Sequence, residues 1–98
     1  YIDDIVSGIR GALEKNYKCE LFNLGNNKSE ELMKVIDHIE KNLNKNALID
    51  FLPMQPGDVT QSFADIEKSK NMLGYKPKTN IDKGIKQFIE WYLKYYKK

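Results

Sequence analysis

The sequence is poor in the residues on which most self-contained catalytic centres depend. Among its 98 residues, Cys19 is the only cysteine and His38 the only histidine. A single cysteine excludes an internal disulfide, and nothing implies an oxidising compartment. One Cys and one His, far apart in sequence, cannot supply the three or four ligands of a zinc centre. A Ser/His or Cys/His pair for nucleophilic catalysis would have to use these same residues, and nothing in the sequence places them together. Arginine is nearly missing as well: Arg10 is the one arginine among 16 basic residues. Bidentate recognition of phosphate favours that planar fork, so a diphosphate bound here would draw most of its neutralising charge from elsewhere. The net charge of +2 is too small to argue for nucleic acid. No apolar run approaches the ~18 residues of a membrane span, and no secretory hydrophobic segment is present. Internal repeats and low-complexity tracts are absent too.

What is there reads as one modest domain of ordinary globular composition, covering residues 1–98. The first residue is Tyr1 rather than Met, so a chain cut from a longer polypeptide is expected. Asp3 or Asp4 suits the cap of a first helix, whose apolar stripe is Ile5, Ile9, Ala12 and Leu13. Gly8 and Gly11 weaken that helix and suggest close packing, although glycines that are simply tolerated are the commoner explanation. The helix is expected to fail by Asn16. Cys19–Leu24 reads as a short strand, stopped by Gly25-Asn26-Asn27.

Ser29 is placed to cap a second helix, with Glu30 and Glu31 in its first turn and Leu32, Ile36, Ile39 and Leu43 facing inward. His38 falls off that stripe, as a solvated residue would. Ala47–Leu52 is a second candidate strand. Asp65 caps a short third helix with Ile66, Lys70 and Leu73 on one side and Gly74 at its end. Tyr75-Lys76-Pro77 forms a turn. Thr79 or Asn80 begins a last helix with Ile81, Ile85, Phe88, Ile89, Tyr92 and Tyr96 inward, and Lys94, Lys97 and Lys98 outward. The fold class expected is therefore α/β: a small, mainly helical domain with two or three short strands that extends or caps another domain.

Three stretches bear on chemistry. In Met54-Gln55-Pro56-Gly57-Asp58-Val59, Pro56 fixes its own φ and Gly57 admits values other residues resist, which holds Gln55 and Asp58 on a stiff frame. An ionised Asp58 suits the paired hydroxyls of a ribose, and Gln55 adds a neutral donor and acceptor. The same residues also suit a plain Pro-Gly turn in which Asp58 bonds its own backbone. The C-terminal Trp91-Tyr92-Leu93-Lys94-Tyr95-Tyr96-Lys97-Lys98 interleaves aromatics with lysines, as single-stranded nucleic-acid binders do. Tyr92 and Tyr96 lie on the apolar stripe, however, so core plus a lysine face is the simpler reading. Asp3 and Asp4 offer carboxylates for acid/base work, although helix capping accounts for at least one of them.

Taken in order, Tyr1-Ile2-Asp3-Asp4-Ile5, Phe22-Asn23-Leu24-Gly25-Asn26, Met54–Val59, Ala64-Asp65-Ile66 and Leu73-Gly74-Tyr75-Lys76-Pro77 resemble the C-terminal part of the extended short-chain dehydrogenase/reductases. These are the NAD-dependent nucleotide-sugar epimerases and dehydratases, and the UDP-glucuronate 4-epimerase branch is the one most resembled. The resemblance covers essentially the whole chain and rests on the ordered series. It implies a Rossmann domain, absent here, followed by a smaller domain that clamps the nucleotide half of a UDP-sugar. Carried onto this sequence, Asp58 would bond the ribose of UDP. Relatives acting on UDP-galactose have an arginine against the pyrophosphate where Gln55 stands, so Gln55 would offer a hydrogen bond without charge.

The family's catalytic machinery is a glycine-rich NAD loop, a Ser/Thr and a Tyr-x-x-x-Lys pair. None is found: Tyr1, Tyr17 and Tyr92 lack Lys at the fourth following position, and Tyr75 has Thr79 there. The resemblance thus implies a parent that oxidises C4 of the sugar to a ketone with NAD and returns the hydride to the opposite face. That parent is expected to be cytoplasmic and homodimeric, and this chain is expected to be inactive alone, with no catalytic, cofactor-binding or metal-binding residue of its own. The alternatives are a dehydratase or decarboxylase of the same architecture, and a free-standing interaction module using the C-terminal helix.

Overall fold

Four helices are set by where apolar residues recur and where residues able to adopt left-handed backbone stop them. The computed structural model describes residues 1–97 and contains α1 (Ile2–Lys15), α2 (Leu32–Leu43), α3 (Glu67–Leu73) and α4 (Ile81–Tyr95). No strand occurs among the described residues. The expected α/β class is therefore corrected: the described residues form helices joined by long irregular connections, with no sheet. A strand exists only through a ladder to a neighbour, and neither Cys19–Leu24 nor Ala47–Leu52 finds one. The backbone divides into two compact units, residues 1–29 with 63–80, and residues 30–62 with 81–98.

In the first unit α1 packs against α3. Tyr1 occupies the N-cap of α1 without a side-chain bond, while Asp3 and Asp4 stand in the first turn, where the helix dipole favours them. The cap therefore lies two or three residues before the expected aspartates. Asn16 ends α1 in the left-handed region at φ 52°, its N–H bonded to the Ala12 carbonyl, as expected for a helix that fails there. The buried face differs from the expected stripe. Asp4 and Gly8 are buried, whereas Ile9 is 50% and Leu13 75% exposed. Close approach on the glycine side decides this: a Cβ on Gly8 would lie 2.6 Å from Leu24 Cδ2 and 3.1 Å from the Tyr75 ring.

Ile66, Leu73 and Tyr75 form the buried cluster of this unit, with Ala12, Phe22, Leu24 and Ala64 packed on it. Ser69, not Lys70, faces inward from α3, and Tyr75, expected only as part of a turn, is 3% exposed. Ile66 is the N-cap of α3, yet the Asp65 carboxylate accepts the Glu67 N–H at 3.2 Å, so Asp65 still satisfies a first-turn donor. Gly74 stops the helix at φ 67°, as expected.

The stretch expected as the first strand keeps its alternation, Phe22 and Leu24 inward and Leu21 outward. Other groups replace the ladder. Ser69 Oγ donates to the Asn23 carbonyl at 2.5 Å, Tyr75 Oη to that of Gly25 at 2.9 Å, and the Ala64 N–H to that of Asn26 at 2.9 Å.

In the second unit α2 packs against α4. Glu31, in extended conformation, is the N-cap of α2, so Glu30 and Glu31 do not lie in its first turn and Ser29 is not its cap. Asn44 ends the helix at φ 53°. Leu32 is 72% exposed and Ile39 36%; the inward set is instead Val35, Ile36 and Leu43, each half-buried. His38, expected in solvent, is half-buried with its Nδ1 3.6 Å from Asp82 Oδ1 on α4. On α4, Gly84 and Ile89 are buried and Ile81 and Ile85 half-buried. Phe88, Tyr92 and Tyr96, expected inward, are 51%, 44% and 54% exposed. Lys98, expected outward, lies outside the described residues.

Candidate functional site

The Pro53–Gln61 loop contains one ordered device. Asp58 N–H donates to the Gln55 carbonyl at 3.1 Å, closing a four-residue turn. Pro56 and Gly57 are its central residues, and Gly57 has φ 90°. This is the signature of a type II turn, with proline's fixed φ second and a residue tolerant of positive φ third. Every residue from 51 to 60 is exposed.

The bond that closes the turn comes from the Asp58 backbone and leaves the carboxylate uncommitted. Neither the Gln55 amide nor the Asp58 carboxylate has a hydrogen-bond or ion-pair partner among the described residues. A single turn therefore holds an amide and a carboxylate three residues apart on solvent-facing backbone. An acceptor-only carboxylate beside an amide that both donates and accepts is suited to vicinal hydroxyls. No cationic side chain is placed on the turn, so it offers hydrogen bonds rather than charge neutralisation.

The other candidates resolve differently. Asp4 is 8% exposed, and its two oxygens accept the N–H groups of Lys78 at 3.1 Å and Thr79 at 3.0 Å. Burial pushes its carboxyl up, but these two amides, the positive N-terminus and the Thr79 hydroxyl together hold it below the usual carboxylate range. Asp4 is thus a latch on the segment leading into α4. The signal that would have found it is a carboxylate on the glycine face of α1. Asp3 is exposed in the first turn. Cys19 is exposed, and His38 is turned toward Asp82. No cluster of three or more His, Cys, Asp or Glu side chains suited to a metal occurs among the described residues.

Along α4 and just past its end the exposed rings contact one another: Trp91 stacks on Tyr95 with centroids 5.2 Å apart, and Tyr92 tilts against Tyr96 at 4.8 Å. No helix among the described residues is long and apolar enough to cross a membrane.

A helical chain with a stiff, polar, solvent-facing turn matches part of a known enzyme class. The family model described as GDP-mannose 4,6 dehydratase matches residues 2–88, and the chain belongs to this family of NAD-dependent nucleotide-sugar epimerases and dehydratases. It is 53% identical over 93 residues to an uncharacterised protein of Methanocaldococcus jannaschii, covering 95% of this chain and 28% of that one. It is 37% identical over 110 residues to UDP-glucuronate 4-epimerase 1 of Arabidopsis thaliana, covering 98% and 26%. Among solved structures it is similar to a mutant UDP-glucuronic acid 4-epimerase from Bacillus cereus, in complex with UDP-4-deoxy-4-fluoro-glucuronic acid and NAD. That likeness has a TM-score of 0.82 and 33% identity, over 98% of this chain and 31% of the other. The chain thus spans about a third or less of the length of these relatives.

Proposed function

We propose that residues 1–98 are the substrate-binding, C-terminal part of an NAD-dependent UDP-sugar 4-epimerase acting on UDP-glucuronate, and that they are inactive alone. One observation carries this reading. The uncommitted Asp58 carboxylate stands on a rigid Pro56-Gly57 turn, in a chain similar over nearly its whole length to an epimerase solved with a UDP-uronate analogue. Asp58 would accept hydrogen bonds from the ribose hydroxyls of UDP, and Gln55 would bond the neighbouring polar groups.

Bound NAD would supply the hydride acceptor and donor for C4 of the sugar. The residues described here do not fit that cofactor: no strand leads through a glycine-rich turn into a helix. The redox step therefore belongs to a Rossmann domain outside this chain, in a cytoplasmic parent that is a homodimer. A second reading, the same portion of a nucleotide-sugar dehydratase, is favoured by the dehydratase description of the matching family. Product analysis of the full-length protein separates the two, since a C4 epimer retains the water that a dehydratase removes.

The test is Asp58→Asn in the full-length protein. Loss of a charged acceptor for ribose hydroxyls is expected to weaken UDP binding by about 1.5–3 kcal/mol, read by calorimetry. An unchanged Kd returns Asp58 to the role of a turn residue.

A further inference from the structure

We propose that the far end of α4 is an interfacial anchor that seats the protein on an anionic lipid bilayer. Five aromatic rings there contact one another in a closed circuit. Phe88 meets Trp91 with centroids 5.9 Å apart, and Trp91 meets Tyr95 at 5.2 Å. Tyr95 meets Tyr96 at 4.9 Å, Tyr96 meets Tyr92 at 4.8 Å, and Tyr92 returns to Phe88 at 6.3 Å. The three- and four-residue spacing of positions 88, 91, 92 and 95 sets them on one side of the helix. All five residues are between 44% and 68% exposed, so the circuit is one continuous apolar patch open to solvent. A patch of that kind on a polar surface marks a place of interaction.

Charge selects the occupant. Residues 91–98 contain three lysines and no acidic residue. Lys94, three positions after Trp91, stands beside the patch. Neither Lys94 nor Lys97 has an ion-pair partner among the described residues. Trp and Tyr rings combine an apolar body with a polar tip, which suits the headgroup layer of a bilayer. Unpaired lysines beside them are drawn to a negative lipid surface. α4 has 15 residues, short of the ~20 that cross a hydrocarbon core, so the helix would lie on the membrane rather than through it.

Two other occupants fit less well. Single-stranded nucleic acid stacks its bases on open ring faces, whereas Trp91 and Tyr95 already stack on each other at 25°. A second copy in a two-fold arrangement would set the same patch against itself, and its lysines would then oppose like charges. Membrane binding involves neither Gln55 nor Asp58, so it stands or falls apart from the UDP-sugar reading.

The test is sedimentation of the full-length protein with vesicles of phosphatidylcholine containing about a quarter phosphatidylglycerol. Binding is expected, and pure phosphatidylcholine vesicles should bind roughly ten-fold less. Salt should release the protein in part, because the Debye length shrinks from about 10 Å at 0.1 M to about 3 Å at 1 M. Trp91→Ala with Tyr95→Ala removes the stacked pair, and Lys94→Glu with Lys97→Glu reverses the charge. Each double variant should cut binding by roughly ten-fold or more. The lysine variant alters only exposed side chains, so its far-UV circular dichroism should match the wild type. Brominated phosphatidylcholine in the vesicles should quench the emission of the wild type more than that of Trp91→Phe. Failure to bind overturns the proposal, as does equal binding to neutral vesicles, equal quenching, or binding that either double variant leaves unchanged. Binding of poly-uridine instead of vesicles, lost in the same variants, assigns the patch to nucleic acid and overturns it. A dimer by light scattering that Trp91→Ala with Tyr95→Ala dissociates, without vesicle binding, assigns the patch to a second copy and overturns it too.

Discussion

Asp4 shows how one carboxylate can decide local order without touching chemistry. Its two oxygens satisfy the amides of Lys78 and Thr79, and its negative charge, behind burial as the larger cause, pushes the Tyr75 phenol upward. Asp4→Ala leaves both amides without their charged acceptor and is expected to cost about 2–3 kcal/mol. Asp4→Asn keeps one acceptor and should cost roughly half as much. The pH dependence follows from the lowered carboxyl. A group whose folded pKa lies below its unfolded value adds stability that is full above the unfolded value and lost as pH falls through the folded one. The contribution of Asp4 should therefore be intact at neutral pH and begin to fall below about pH 4. Urea titrations at pH 7 and pH 3 check this: the gap between wild type and Asp4→Asn should narrow in acid, and an unchanged gap contradicts the latch.

At the scale of elements, Gly8 sets which side of α1 is inside. Alanine there would gain about 1 kcal/mol of helix propensity. Its Cβ, however, would lie 2.6 and 2.9 Å from the two Leu24 methyls and 3.1 Å from Tyr75, and overpacking of that kind typically costs about 1–3 kcal/mol. The Leu24 methyls end a flexible, half-buried side chain that can shift, whereas the buried Tyr75 ring is tied to the Gly25 carbonyl. Gly8→Ala is therefore expected to lower Tm only slightly despite its better helix propensity. Pairing it with Leu24→Ala should recover part of the loss, which a double-mutant cycle measures. If the two effects simply add, the two residues do not meet as described. The same contact explains what the sequence could and could not reveal. Helix ends were legible because Asn16 and Gly74 punctuate locally. The face of α1 was not, because hydropathy marks Ile9 and Leu13 as inward while proximity favours the residue with no side chain. The two strands were equally beyond reach, since alternation and propensity show that a segment suits a ladder and cannot show that a partner is there.

At the scale of the whole molecule, the sequence was more informative about membership than about architecture. The ordered motif series pointed to the family, and the turn at Gln55–Asp58 takes the stiff form that Pro56 and Gly57 dictate. What it could not show is that Asp58's carboxylate stays uncommitted, because a Pro-Gly turn in sequence is compatible with a self-bonded aspartate. Sequence also missed that His38 is held toward Asp82 and Asp4 toward two amides, both long-range contacts. The proposed function places the chemistry in another part of the parent protein. Hydride transfer needs a cofactor site, and proton transfer needs a group free to give or take a proton at the sugar. Asp4 is engaged by two backbone amides, and His38 is turned toward α4. The isolated chain mixed with NAD and UDP-glucuronate should therefore give no absorbance change at the nicotinamide band and no C4 epimer by chromatography. The full-length protein should convert the same mixture. Product from the isolated chain would mean that the redox step needs no second domain, and the division of labour proposed here would fail.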